Sequence, residues 1–171
     1  RILTITICLF ALTFGLMGQT DIETGSCTSI TVGKNASTDG STMTSHTCDS
    51  DFRTWLTMEP SITYQKGDME PVYKGKLHTD LPWDMRRVTE VGKIPAPEKT
   101  YKFLNTAYPC MNEKQLAMGE TTVEGRPELV NPAGMFQIEE LQRIALQRCS
   151  TAREAIKLMG KLAQEYGYGD W

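Results

Sequence analysis

Cys27, His46 and Asp49 are the residues whose types and spacing could do chemistry. They lie within one short stretch, GSCTSITVGKNASTDGSTMTSHTCDS, spanning residues 25–50. If the bond between Ser26 and Cys27 is cut during maturation, Cys27 carries both a thiol and a free α-amino group. An α-amine titrating at about 7.7–8.0 is matched to take the proton of a thiol titrating at about 8.5. The nucleophile then carries its own base. Asp49 is expected to hydrogen-bond the amine or the thiol and hold it in place. Other readings of the same residues stay open. Cys27 could remain internal with His46 as its base in a Cys/His pair. It could be a buried structural or disulfide cysteine, with Asp49 a strand-end turn acid. It could also be a lipid anchor, although Thr24-Gly25-Ser26 lacks the leucine expected three residues before such a cysteine.

A hairpin would bring these residues together. CTSITV and STMTSHT are β-branched and alternating, and the intervening GKNASTDG holds the turn dipeptide Asp39-Gly40. A turn centred near Thr38 and Asp39 puts Cys27 opposite Asp49 and Ser50. The apolar run Ile2–Gly18 is shorter than the ~20 residues of a membrane span and is followed at once by polar residues. It reads as a signal peptide over residues 1–18, with a short pro-segment over 19–26 and the folded domain over 27–171. Export to a periplasm or to the outside is therefore expected. Cys8 would leave with the signal, so Cys27, Cys48, Cys110 and Cys149 remain, and their wide spacing does not define a pairing.

The 171 residues, 40% hydrophobic with net charge −3, have the balance of an ordinary globular protein. The 18 basic residues are scattered among 21 acids, without the basic stripe that holds a phosphate backbone, so no nucleic-acid partner is expected. With only two histidines and no Gly-rich phosphate loop, no metal or other cofactor is expected either. The chain opens on Arg1 and closes at Trp171, which suggests the first portion of a longer protein.

Residues 52–104 read as short strands and long loops, in which Trp55, Tyr64 and Trp83 could line a pocket or form partial core. A turn at Asn112 is expected to lead into a strand over Gln115–Val123. A helix over Pro132–Arg148 should bury Phe136, Ile138, Leu141, Ile144 and Ala145. A second helix, opened by the capping-box spacing Thr151–Glu154 and ending near Gly167, should bury Ala155, Ile156, Met159 and Leu162. Strands followed by paired helices predict an α+β layered protein.

Three blocks carry a resemblance: CTSITVGKNASTDGSTM, NEKQLAMGETT and IEELQRIALQRCSTAREAIKLMGKLAQEYGYGDW. Together they resemble the dipeptidases of the N-terminal-nucleophile (Ntn) cysteine hydrolases, relatives of secernin, penicillin V acylase and choloylglycine hydrolase. The resemblance implies an Ntn-hydrolase-type αββα four-layer sandwich, of which this chain holds the N-terminal portion. It implies hydrolysis of dipeptides or short peptides through a thioester on Cys27, with Asp49 the acid beside it and self-catalysed maturation. Thr122, or Thr121 if the alignment slips by one, matches an oxyanion-hole side chain. Many relatives have arginine three residues before the acid; His46 stands there, and the resemblance implies a substrate-carboxylate contact that His46, Arg126 or a later residue would make. An amidase of the penicillin V or bile-salt type is the nearest alternative. An exported lipoprotein or binding module with a non-catalytic Cys27 is the alternative from another class. Homo-oligomers are compatible with all of these.

Overall fold

The computed structural model describes residues 27–49, 55–79, 84–121 and 125–169. The expected signal and pro-segments, Ser50, Trp83 and Thr122 lie outside them. Among the described residues, seven strands and two α-helices make an α+β architecture: β1 (Ser29–Val32), β2 (Met43–His46), β3 (Thr57–Glu59), β4 (Met69–Lys74), β5 (Thr89–Pro95), β6 (Phe103–Asn105), β7 (Pro109–Asn112), α1 (Ile138–Arg148) and α2 (Ala152–Tyr166). The strands form three antiparallel units, β1–β2, β3–β6–β7 and β4–β5.

Helix α1 is the hub. One side packs Leu141 and Ile144 against Val72 and Ile94 of β4–β5, with Phe136 and Leu162 completing the cluster. The other sets Ala145 and Leu146 against Phe103, Leu116, Cys149 and Ala155. A buried ion network ties α1 to β4. Arg143 binds Glu70 and, at 2.8 Å, Glu140; Arg148 reaches Glu70 at 2.6 Å and Lys76 reaches Glu140 at 2.8 Å. Burial works against the Glu140 charge, but Arg143 and Lys76 outweigh it and hold that carboxyl below its ordinary range.

Helix α1 starts six residues later than its apolar pattern suggests. The preceding segment pairs with the end of α2 instead, Met135 N donating to Tyr166 O (3.0 Å) and Phe136 N to Gly167 O (3.1 Å). The capping box opens α2 as expected: Thr151 Oγ1 accepts from Glu154 N, and Glu154 Oε2 accepts from Thr151 N at 3.2 Å. Gly167, at φ 84°, ends it in a backbone conformation that side-chain-bearing residues rarely adopt. Ile156 is exposed rather than buried. The inward stripe of α2 runs through Ala155, Leu158, Met159 and Leu162, and Ile156 lies about 100° round the helix from Ala155.

The expected strand over Gln115–Val123 is replaced, as far as Thr121, by an isolated bridge between Met111 and Ala117. Asn112 explains the difference. Its side-chain amide donates to Leu146 O (2.7 Å) and Cys149 O (2.8 Å), while its carbonyl accepts from Lys114 N and Leu116 N. Those bonds turn the chain over the end of α1, with Gln115 at φ 63°.

Candidate functional site

The β1–β2 hairpin positions Cys27. Its register pairs Ser29 with His46 and Val32 with Met43, and Thr47 N donates to Thr28 O at 2.9 Å, so the pairing continues one step beyond β1. One further step sets Cys27 opposite Cys48, not opposite Asp49 and Ser50 as a turn at Thr38-Asp39 would require. The loop between the strands is built on two local turns rather than on Asp39-Gly40 alone. Ala36 N donates to Gly33 O, Ser37 Oγ to Ser41 O and Ser41 N to Asp39 Oδ1, which recentres the hairpin.

Side chains alternate across a strand pair, so Cys27, Ser29, His46 and Cys48 share one face. That face meets the body. Cys48 packs against the cluster of Leu77, Ala107 and Tyr108. His46 meets the Tyr108 ring edge-on at 6.5 Å between centroids. Gly119 lies against His46, where an added Cβ would come 3.1 Å from Nδ1. Ser29 Oγ and Thr121 Oγ1 are hydrogen-bonded, joining β1 to the segment that leads into Thr122.

Asp49 lies on the solvent side and is exposed. It accepts from Thr47 Oγ1 at 3.2 Å, and the same oxygen accepts from Thr28 N at 3.0 Å. A carboxylate, a hydroxyl and the amide just after Cys27 therefore form one chain. Cys27 is half-buried. Burial, the Cys27 sulfur and the Glu120 and Asp49 carboxylates push the Cys48 thiol up to about 12. Burial, then Glu120, Cys48, Glu139 and Cys27, raise the Tyr108 phenol as well. Both groups stay protonated at neutral pH.

Arg126 is exposed and ion-paired with Glu128 at 3.6 Å. A cavity of about 370 Å³ lies between Glu59, Lys76, Asp84, Glu139 and Arg143, and Cys27, His46 and Asp49 are not among the side chains lining it. Among the described residues, no three His, Cys, Asp or Glu side chains gather as a metal site, and no helix is long and apolar enough to cross a membrane.

Sequence reasoning missed Cys48 and Tyr108 at this face. The hairpin turn chemistry carried the signal for Cys48, because recentring the loop on Ala36, Ser37 and Ser41 moves Cys48 opposite Cys27. Tyr108 reaches the hairpin through tertiary packing alone.

The model of Peptidase family C69 matches residues 26–171, beginning one residue before Cys27. The chain belongs to that family. It is 29% identical over 167 residues to a "Probable dipeptidase" of Latilactobacillus sakei, covering 85% of this chain and 31% of that protein. Over 152 residues it is 29% identical to "Probable dipeptidase B" of Lactococcus lactis subsp. lactis (strain IL1403), covering 84% of this chain and 30% of the relative. The C69 chain described here thus spans about a third of the length of these relatives. No solved structure matches it.

Proposed function

We propose that this chain is the N-terminal part of an exported cysteine dipeptidase of the Ntn type, built as an αββα sandwich, in which Cys27 is the nucleophile. The observation that carries the reading is the family match, which opens at Ser26 with the half-buried thiol of Cys27 immediately behind it. Residues 1–18 act as signal peptide and 19–26 as the removed pro-segment. The thiolate attacks the scissile carbonyl of a dipeptide, and the α-amine takes the thiol proton and returns it to the leaving amine. Backbone N–H groups with Thr122, or the neighbouring Thr121, stabilise the oxyanion. Water then releases the acyl group from the thioester. Asp49 holds the Thr28 amide through Thr47, which fixes the backbone at the nucleophile. His46 serves the substrate carboxylate.

One observation favours a second reading. His46 shares the face of Cys27 and sits diagonally across the hairpin from it, within the range at which such pairs interact. In a chain that keeps residues before Cys27, His46 would be the base. Hydrolysis of simple dipeptides by purified full-length protein, with and without Cys27→Ser, tests the nucleophile. Loss of a nucleophile lowers turnover by about 10³-fold or more. A variant as active as the original chain would sink the proposal and favour a binding module. Turnover of an acylated penicillin or conjugated bile acid, but not of dipeptides, would move the substrate to the amidase class.

A further inference from the structure

The pairing of Cys48 with Cys27 is left over from the proposed hydrolysis. Thr28 and Thr47 form a hydrogen-bonded pair through Thr47 N and Thr28 O, so Cys27 and Cys48 occupy the next, non-hydrogen-bonded position. At such positions opposed Cα atoms stand about 4.5 Å apart, at the short end of the range that a disulfide bridges. Both thiols are free and half-buried, and the Cys27 sulfur lies near enough to raise the Cys48 thiol. The other described cysteines are engaged elsewhere. Cys110 bonds Leu104 O at 3.5 Å from β7, and Cys149 is buried at the end of α1.

We propose that Cys48 is a resolving cysteine, closing a reversible Cys27–Cys48 disulfide after a peroxide oxidises Cys27. The functional consequence, a blocked and protected nucleophile, rests on the assignment of Cys27 above. In the first step the Cys27 thiolate attacks a peroxide oxygen; an S–O bond forms, the O–O bond breaks and hydroxide leaves. Cys27 is oxidised to the sulfenic acid and the peroxide is reduced. In the second step the Cys48 sulfur attacks the Cys27 sulfur; the S–S bond forms, the S–O bond breaks, and the Cys48 proton leaves with the hydroxide as water. A dithiol reverses the bridge by exchange. The order of the steps follows from the surroundings. The Cys48 thiol is held protonated by burial and by the neighbouring Cys27 sulfur, so Cys27 is the sulfur that meets the oxidant and Cys48 the one that resolves it.

The test is to treat the purified full-length chain with hydrogen peroxide, block remaining thiols by alkylation, and map peptides without reduction. A Cys27–Cys48 linked peptide, with Cys110 and Cys149 alkylated and dipeptide turnover restored by dithiothreitol, is the expected result. In Cys48→Ser and Cys48→Ala, Cys27 should proceed to the sulfinic acid and recovery should be lost. Wild-type protein in which Cys27 reaches the sulfinic acid while Cys48 is alkylated would overturn the proposal. A linked peptide in protein with no turnover before oxidation supports the thiol pair and counts against the dipeptidase reading alone.

Discussion

The β4–β5 and β1–β2 hairpins are both antiparallel pairs, yet they are held in opposite ways. In β4–β5, Val72 and Ile94 are fully buried under α1, and Glu70 is locked by Arg143 and Arg148. In β1–β2, Ile30 is 62% and Met43 51% exposed, and the hairpin meets the body along one face only, through Ser29, His46 and Cys48. The fold's stability is thus concentrated around α1, while Cys27 sits on a lightly anchored arm.

The largest effect expected to sharpen this contrast is at Arg143. Arg143→Leu removes the cation shared by Glu70 and Glu140, leaving each carboxylate one ion-pair partner, Arg148 and Lys76 respectively. Removing one member of a buried ion cluster costs about 3–5 kcal/mol, and the remaining partners place this case near about 3. The urea midpoint measures it; an unchanged midpoint would break the contrast. A smaller effect comes from acid. The Glu140 carboxyl is depressed in the folded state, so its contribution is fully present above the ordinary carboxylate pKa and is lost as pH falls through the depressed folded value. Urea midpoints followed from neutral to acid pH should fall in that direction, and the slope should be reduced in Glu140→Gln. The smallest effect belongs to the arm: Ile30→Thr should alter stability by no more than about 0.5 kcal/mol. A loss comparable to that of Arg143→Leu would show that the hairpin belongs to the main cooperative unit.

What could be read from sequence follows the same division. Periodicity and capping chemistry are local, so the apolar face of α1, the Thr151–Glu154 box and the end of α2 at Gly167 were legible. The start of α1 was not, because the chain before it pairs with the end of α2, a tertiary contact. The strand expected after Gln115 failed for a similar reason, as the Asn112 side chain competes successfully for nearby amides and for the end of α1. At the candidate site the hairpin itself was legible from Cys27 to His46. Its register was not, since Asp39-Gly40 is one of several turn-forming groups in a long loop. That shift matters chemically: it replaces a carboxylate with a thiol across from Cys27 and leaves Asp49 acting through Thr47.

The proposal that Cys27 works as an N-terminal residue is tested by the mass and N-terminal sequence of the mature, active full-length protein. A chain beginning at Cys27 with a free amine is the predicted result. An active protein that begins near Gln19 and keeps the residues before Cys27 would contradict it and transfer the role of base to His46.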